Sequence, residues 1–364
     1  EKKRFDEANL SYMKFSKRLF KLMSVTQPVF FLLMNLAGML IYWISSILIN
    51  QNSLQVGQLV AFMDYLFHVM FSIMLFCLVF MMYPKAQVSA RRITKVLKTT
   101  PSIPTQITEH GEGTEGGNRD SGDLNKIDIK EIRFEHVTFV YPDGEEAVLK
   151  DGSFAVNRGE TIAFIGSTGS GKSTLINLVP RAYDVTEGSI LINGEDIRKL
   201  PAQELRQSIG FIPQKAMLFG GTIAENIRYG KKDASMEEVA HAAKVAHAYD
   251  FIMEKGGFEE LITENATNVS GGQRQRVSIA RALVRRPDVY IFDDSFSALD
   301  FKTDAKLRGE LKKETKEAIV MIVAQRISSI VDADRIVVLN EGSVVGIGTH
   351  QELMKGCQIY REIA

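Results

Sequence analysis

The chain has 364 residues, enough for two or more domains, and its 44 basic residues balance its 44 acidic ones, so the formal net charge is zero. This balance gives no electrostatic reason to expect a nucleic-acid partner, and none is predicted. The two cysteines, Cys77 and Cys357, match no metal or redox spacing, which favours two buried or idle thiols.

The N-terminal part of the chain is strongly apolar. It begins at Glu1, within what reads as a charged helix, and shows no signal peptide, so we expect a fragment of a longer protein. Residues 29–49 carry no charge, and residues 59–83 form a second apolar run. Each run is long enough to cross a bilayer as a helix. The alternative, a pair of buried core helices, is disfavoured because two such long apolar runs are unusual in a soluble core.

The charges around these runs predict their orientation. The connector Asn50–Gly57 has no charged residue, whereas basic residues stand before the first run and after the second. These are Lys14, Lys17, Arg18, Lys21, Lys85, Arg91, Arg92, Lys95 and Lys98. Basic residues favour the cytoplasm, so both outer ends are predicted to be inside. Asp64 and His68 either face a pathway or lie at the interface and against a helix neighbour, and the sequence does not choose.

The composition divides the chain into three parts. Residues 1–98 are predicted to be the end of a transmembrane domain, and residues 99–126, rich in Gly, Pro and polar residues, a linker. From residue 127 to residue 364 short apolar runs alternate with helical patterns, which is typical of an α/β domain.

Within this C-terminal domain several elements are predicted. Two antiparallel strands, a set of buried strands typical of a parallel sheet, a closing hairpin around Glu341-Gly342 and two helices are expected. The antiparallel strands are Ile132–Val140 and Val148–Val156, and the buried parallel strands are Thr161–Ile165, Ile209–Ile212, Val289–Phe292 and Ile319–Ala324. The closing hairpin comprises Arg335–Leu339 and Ser343–Ile347, and the two helices are Met236–Lys255 and Gln273–Arg285.

A phosphate-binding loop stands between a strand and a helix. It matches G-x-x-x-x-G-K-[ST] and comprises Gly166, Ser167, Thr168, Gly169, Ser170, Gly171, Lys172, Ser173 and Thr174. The glycines let backbone N–H groups turn inward around a polyphosphate, and the helix that begins near Lys172 points its positive end at the same anion. Lys172 is predicted to reach the β- and γ-phosphates and Ser173 to bind Mg²⁺. A glycine-rich turn with a chance lysine is the alternative.

Two carboxylates end a buried strand. The segment Val289–Asp294 reads Val-Tyr-Ile-Phe-Asp-Asp. Such a strand can deliver Asp293 to a Mg²⁺ ion on the phosphates, and Asp294 to the γ-phosphate side, where a base or water-positioning group belongs. Two adjacent acids at a buried strand end require a cation or a proton, so solvated end-capping is the weaker interpretation.

The segment Asn268–Arg276, Asn-Val-Ser-Gly-Gly-Gln-Arg-Gln-Arg, resembles the signature of the ATP-binding cassette (ABC) family. The family usually has Leu where Val269 stands. Ser270, Gly271, Gly272 and Gln273 would present hydroxyl and N–H groups to a γ-phosphate at a helix N-terminus.

Further positions resemble the family in order along the domain. The resemblance implies that Tyr141 stacks on adenine, and that Gln214 touches Mg²⁺ and senses the membrane domain. It also implies that the loop ending at Asp300 crosses to a second cassette, and that Glu264 lies in a loop contacting membrane helices. The implied metal ligands are thus Ser173, Gln214 and Asp293, and the implied cofactors are ATP and Mg²⁺.

The resemblance gives the expected fold class and setting. It implies a membrane α-helical hairpin, the last two spans of an exporter transmembrane domain. An α/β P-loop NTPase cassette follows, with an antiparallel β subdomain and a helical subdomain. The expected protein is a multi-pass protein of the plasma membrane, with the cassette on the cytoplasmic side. Its expected partners are the lipid bilayer and a hydrophobic or amphipathic small-molecule substrate.

Two catalytic positions depart from the family pattern. Asp294 stands where Glu is usual and Gln325 where His is usual. Aspartate is one methylene shorter, and misplacing a catalytic group by about 1 Å can cost ~100-fold in rate. Gln325 donates a hydrogen bond but cannot become cationic. These departures resemble one half of a heterodimeric exporter, in which this chain's P-loop builds the weak site and its signature completes a competent site on another chain.

Several functions remain open on the sequence. The leading one is ATP-driven export of drugs or lipids by a heterodimer. A self-sufficient homodimer, with Asp294 as a poor base, is the first alternative. A regulatory cassette that binds ATP without transport is another. A soluble cassette ATPase of repair or translation is the least favoured because of the apolar hairpin.

Overall fold

The computed structural model describes residues 2–100, 103 and 126–364. These residues form two compact units, Glu1–Thr100 and Pro101–Ala364. Most of the predicted linker, residues 99–126, lies outside the described residues.

The N-terminal unit consists of two long helices, α1 (Lys2–Asn50) and α2 (Val56–Leu97). Both contain the apolar runs predicted as spans but extend well beyond them. By length and composition, Pro28–Asn50 and Val56–Leu97 could each cross a membrane. Gly38 on α1 lies close to Met63 on α2. A Cβ added at Gly38 would lie 3.5 Å from the Met63 side chain. The two helices are joined by a five-residue connector as a helical hairpin.

The C-terminal unit begins with its antiparallel elements and continues with mixed strands and helices. In chain order these are β1 (Glu131–Phe139), β2 (Leu149–Asn157), β3 (Thr161–Gly166), α3 (Lys172–Leu178), β4 (Glu187–Ile192), β5 (Glu195–Asp196), α4 (Ala202–Gln207), β6 (Ile209–Ile212), β7 (Gly221–Thr222), α5 (Ile223–Arg228), α6 (Met236–Val245), α7 (Tyr249–Glu254), β8 (Leu261–Ile262), α8 (Gly271–Leu283), β9 (Val289–Asp293), α9 (Phe301–Glu314), β10 (Ile319–Val323), β11 (Arg335–Asn340), β12 (Ser343–Gly348), α10 (His350–Gly356) and α11 (Gln358–Ile363).

The six-stranded sheet at the centre has the order β12-β11-β3-β10-β9-β6. All neighbours pair in parallel except β11 and β12, which form the predicted antiparallel hairpin. The predicted strands of the parallel sheet are confirmed. The carboxyl ends of parallel strands lie at one edge of a sheet. The segments that follow β3, β10 and β9 therefore begin side by side at that edge.

The antiparallel sheet has the order β2-β1-β4-β5. The predicted pairing of β1 with β2 is confirmed. β4 and β5 were not predicted. They pair around the tight turn at Asn193-Gly194, where both residues have positive φ, 51° and 86°. An Asn-Gly pair between apolar runs is itself a strong hairpin signal.

Side-chain alternation along β3 places the core on both faces of the central sheet. Ala163 and Ile165 face the helical part, and Ile162 and Phe164 face the antiparallel sheet, and all four are fully buried. A strand that is buried on both faces is continuously apolar, as the parallel-sheet interpretation required.

The helical part differs from the prediction at one point. A single helix was expected over Met236–Lys255, but α6 ends at Val245 and α7 begins only at Tyr249. His247, with φ 51°, lies in the turn between them. A left-handed residue cannot continue a right-handed helix, so the single-helix prediction is wrong there. The predicted helix over Gln273–Arg285 is confirmed as α8.

Candidate nucleotide site

The loop between β3 and α3 is built around glycines that no other residue could replace. A Cβ at Gly166 would lie 2.0 Å from the Leu339 carbonyl oxygen, because β11 runs beside β3 there. Gly171 has φ 94°, and a Cβ on it would lie 2.8 Å from the Val148 carbonyl. The loop therefore keeps close to its neighbours and leaves room for a polyphosphate on its open side.

Lys172 folds back over this loop. Its Nζ donates to the Gly166 carbonyl at 2.8 Å, the Ser167 carbonyl at 2.7 Å and the Ser170 hydroxyl at 3.3 Å. Burial lowers the pKa of Lys172, and the nearby Asp294 and Asp293 carboxylates oppose that shift. A lysine ammonium held over a loop of this sequence is suited to a bound phosphate.

Ser173 and Asp293 meet at the start of α3. The Ser173 hydroxyl donates to Oδ1 of Asp293 at 2.8 Å. Among the described residues no group of three His, Cys, Asp or Glu side chains could hold a metal alone. Mg²⁺ usually takes one or two protein oxygens and completes its shell with water and phosphate oxygens, and the Ser173–Asp293 pair fits that donor set.

Asp294 receives hydrogen bonds from two glutamines. Nε2 of Gln325 donates to Oδ2 at 2.7 Å, and Nε2 of Gln214 donates to the same oxygen at 3.1 Å. The backbone of Asp294 is left-handed, with φ 46°, and its N–H donates to the Val323 carbonyl at 3.0 Å. The Ser297 hydroxyl donates to the Asp294 carbonyl at 2.9 Å, so both the backbone and the side chain of Asp294 are fixed.

Burial dominates the electrostatics of the two carboxylates. Asp293 and Asp294 are each 8% exposed. Burial raises the pKa of Asp293, and the Ser173 hydrogen bond opposes this. Burial likewise raises the pKa of Asp294, opposed by Gln214 and Ser297. Two buried acids beside one lysine form a site suited to additional positive charge.

Tyr141 lies beside the same helix. Its hydroxyl and the Thr174 hydroxyl are 3.0 Å apart and share a hydrogen bond. Its ring packs edge-on against Phe139 and Tyr183, with centroids 4.9 and 5.3 Å away. The ring is therefore held in place next to α3, on a surface that is only partly buried.

One cavity of about 500 Å³ unites most of the predicted site. Its walls include the P-loop from Gly166 to Thr174 except Ser170, with Gln214, Asp293, Asp294 and Gln325. Ser270–Gln273, Asp300 and Tyr141 are not among its lining residues. The structure thus brings the P-loop and the catalytic positions together within one chain and leaves the signature elsewhere on its surface.

The signature forms the start of α8. Ser270 and Gln273 make a reciprocal capping box, in which Gln273 N donates to the Ser270 hydroxyl at 3.2 Å and Ser270 N to Gln273 Oε1 at 2.9 Å. A Cβ at Gly272 would lie 3.2 Å from the Ala298 carbonyl, so this helix start abuts the loop that ends at Asp300. Asp300 caps α9 by accepting from Thr303 N at 3.0 Å. Hydrogen bonding by the side chain and then by the backbone of Thr303 lowers the pKa of Asp300.

Several residues that shape the site were not predicted from the sequence. Gln275 is 1% exposed and donates to the Pro213 carbonyl at 3.1 Å, which anchors the loop before Gln214. The Ser295 hydroxyl donates to the Ile212 carbonyl at 2.8 Å. Gln275 is a polar residue on the apolar face of α8, and that pattern could have indicated its role from the sequence. Val148 and Ile363 also line the cavity, and nothing in their local sequence indicates it.

Comparison with known families and proteins gives consistent matches. The family model described as "ABC transporter" matches residues 149–297. YfiB of Bacillus subtilis, named as an uncharacterized ABC transporter ATP-binding protein, is 39% identical over 364 residues, 100% of this chain and 61% of its own length. YgaD of the same organism, named as a putative multidrug export ATP-binding/permease protein, is 46% identical over 61% of this chain and 39% of its own.

A solved structure matches as well. A bacterial Atm1-family ABC exporter with ATP bound superposes with a TM-score of 0.73 at 31% identity, over 85% of this chain and 52% of that one. The chain spans 61% of the length of YfiB. Residues 149–297 are therefore an ABC transporter ATP-binding cassette, and the chain, with its apolar helices, has an Atm1-family ABC exporter fold similar to that of exporter half-transporters.

Proposed function

We propose that the protein exports amphipathic molecules across a membrane, driven by ATP, with a catalytically weak ATP site of its own. The observation that carries this proposal is the meeting of a complete phosphate-binding loop with Asp294 and Gln325 in one cavity. The names of the relatives, ABC transporter and multidrug export ATP-binding/permease protein, support the transport part.

We assign nucleotide binding to one group of residues. Backbone N–H groups of residues 166–174 and the Lys172 ammonium would hold the phosphates. Tyr141 would stack on the base, and Ser270–Gln273 and Asp300 would act on the nucleotide of a second cassette. Ser173 and Asp293, with Gln214, would hold Mg²⁺, which neutralises phosphate charge when bound.

Hydrolysis requires a water to attack the γ-phosphorus while the bond to the ADP oxygen breaks. Asp294 would accept that water's proton. Both glutamine amides converge on its Oδ2, which leaves Oδ1 as the oxygen to receive it. Aspartate reaches less far than glutamate, and Gln325 cannot supply a positive charge to the developing phosphate charge. Both features leave ATP binding in place and slow the chemical step.

A weak site favours a heterodimer. In an exporter pair with one competent site, this chain would contribute its signature at α8 to the partner's nucleotide. Its own P-loop would hold ATP with slow turnover. A homodimer with two slow sites is the alternative, and a regulatory cassette without transport is a third. Measuring ATP turnover and transport with and without a partner chain distinguishes the heterodimer, the homodimer and the regulatory cassette.

The membrane part of the proposal rests on the hairpin. The apolar parts of α1 and α2 would lie in the plasma membrane, with the basic residues around them and the cassette in the cytoplasm. Their surfaces are rich in exposed Leu, Phe and Met, which suits lipid contact and an amphipathic substrate alike.

The deciding experiment is ATP turnover by the full-length protein purified alone in detergent. It is compared with the Asp294→Glu/Gln325→His double variant, and with a Lys172→Ala variant that sets the background. We expect wild-type turnover near that background and at least tenfold more in the double variant. Robust wild-type turnover, unchanged in the double variant, would overturn the weak-site proposal and leave a self-sufficient homodimer.

A further inference from the structure

A second cavity lies in the C-terminal unit between α9, the central sheet and residues 329–333. Its volume is about 250 Å³. A water molecule occupies about 30 Å³ of liquid, so this cavity has room for a body the size of one bicyclic ring. Its inner wall is apolar and less than 9% exposed, and consists of Phe292, Phe296, Leu311, Val320, Ile322 and Ile330.

Small residues on α9 keep this cavity open. Ala305 and Gly309 are four residues apart on one side of the helix and both line the cavity. A Cβ at Gly309 would meet no atom within 4 Å, so neighbouring atoms do not require glycine there. Glycine inside a helix costs about 0.5–1 kcal/mol relative to alanine. Glycine at position 309 thus lowers the stability of α9, and the absence of a side chain there widens the cavity.

The mouth of the cavity is polar but balanced in charge. Arg308 is held by Asp304, with contacts of 3.0 and 3.2 Å, and by the Ser328 carbonyl at 3.2 Å. Lys312 and Asp332, one of each sign, complete the rim. A ligand with a net charge would be attracted by one of these two side chains, Lys312 and Asp332, and repelled by the other. An uncharged ring with one polar group therefore fits best.

A small space lies between this cavity and the nucleotide site. This space, of about 80 Å³, shares Phe296 and Ser329 with this cavity. The same small space shares Asp294 and Gln325 with the nucleotide cavity. Residues 325–330 thus run from one site to the other. Gln325 lines the nucleotide cavity and contacts Asp294, and Ser329 and Ile330 line the second cavity.

We propose that this cavity is a regulatory site for a small, uncharged amphipathic molecule, of which indole is a suitable probe. The apolar ring would fill the space above Phe292 and Ile322, and a polar N–H would face Asp332. A bound ring would hold residues 325–330 in the arrangement described, with Gln325 on Asp294. Because that segment connects the two sites, occupancy of this cavity would change the affinity for ATP, and ATP would change the affinity of this cavity by the same factor. This inference does not depend on export.

The test is titration of the full chain in detergent with indole, observed in the methyl spectrum of isoleucine. The signals of Ile322 and Ile330 are identified with Ile→Val variants. Isoleucines in α1 and α2 report indole that merely enters the detergent. We expect saturable shifts at Ile322 and Ile330, and a change of at least twofold in the Kd of ATP at saturating indole.

Two variants at Gly309 provide the matched comparison. Gly309→Ala should keep the indole shifts, and Gly309→Leu should raise the Kd of indole at least tenfold while the other isoleucine signals stay in place. If Gly309→Leu fails to fold, Ala305→Leu replaces it. Absence of saturable shifts in the wild type, or equal shifts in the leucine variant, would overturn the proposal. Shifts at Ile330 that depend on protein concentration without indole would overturn it in favour of a second copy as occupant.

Discussion

Nε2 of Gln325 donates a hydrogen bond to Oδ2 of Asp294 across 2.7 Å, and these are the two catalytic positions that the sequence predicts to depart from the cassette pattern. The two departures are therefore in direct contact. Gln214 reaches the same oxygen at 3.1 Å, so one carboxylate oxygen serves both amides. A change at either position alters the surroundings of the other.

This contact predicts that the two substitutions are not additive. Asp294→Glu alone would push a longer carboxylate towards the Gln325 amide, and Gln325→His alone would leave the short carboxylate in place. We expect each single variant to raise phosphate release by less than threefold and the double variant by at least tenfold. A double-mutant cycle on steady-state turnover measures the coupling. A single variant as active as the double one would contradict it.

Tyr141 should contribute to ATP affinity through its ring. Its hydroxyl contacts Thr174, whereas Phe139 and Tyr183 hold the ring edge-on. Stacking on a base is worth about 1–3 kcal/mol. We expect Tyr141→Ala to weaken ATP binding roughly tenfold or more, and Tyr141→Phe to change it less than threefold. Titration with a fluorescent ATP analogue checks both, and equal losses would mean that the hydroxyl, not the ring, matters.

Ser173 should set the Mg²⁺ requirement of nucleotide binding. Its hydroxyl lies 2.8 Å from Asp293 at the proposed metal position. Ser173→Ala removes one oxygen ligand, so we expect a several-fold higher Mg²⁺ concentration for half-maximal ATP binding. Ser167→Ala, in the same loop but not proposed as a ligand, is the matched control. An unchanged Mg²⁺ dependence in Ser173→Ala would remove Ser173 from the metal site.

Asn226 should be essential to the stability of the helical part. It is 2% exposed, and its amide donates to the Phe219 carbonyl at 2.9 Å and the Thr222 carbonyl at 3.0 Å. Its Oδ1 accepts from Phe219 N and from Arg281, both at 2.9 Å. In Asn226→Asp both donated bonds become contacts between oxygens, and about 1–3 kcal/mol is lost for each buried group left unpaired.

We therefore expect Asn226→Asp to lower the thermal unfolding midpoint of the C-terminal unit by several degrees, observed in the full chain by circular dichroism. Gln203→Glu, the same amide-to-acid change at an exposed position on α4, should leave the midpoint unchanged within about a degree, since surface changes rarely exceed 0.5 kcal/mol. Equal midpoints for the two variants would mean that the Asn226 hydrogen bonds contribute little.

Most of the fold could be predicted because its strands are short, continuous apolar runs. β3, β9 and β10 were recognisable since burial on both faces removes polar residues from such strands. The break between α6 and α7 was not, because His247 adopts a left-handed conformation within a segment whose residues otherwise favour a helix. β4 and β5 were overlooked although Asn193-Gly194 marked their turn.

The site was predictable as a set of residues but not as an arrangement. The spacing of the P-loop glycines reflects close backbone approaches, such as that of Gly166 to Leu339, which only glycine permits. The convergence of Gln214 and Gln325 on one oxygen of Asp294 accompanies the left-handed backbone at Asp294, for which an aspartate gives only a weak local signal. That conformation comes from the packing of the strand ends, not from neighbours in sequence.

The position of β10 between β3 and β9 has a consequence for how such proteins diverge. Its backbone is held on both sides by parallel pairing up to Val323, two residues before Gln325, so the backbone position of residue 325 beside the nucleotide cavity depends little on its side chain. Two codon replacements, at 294 and 325, would leave every strand in register. A lineage can therefore lose or regain turnover without rebuilding the domain, so that after gene duplication one copy can become a passive half while its scaffold remains intact.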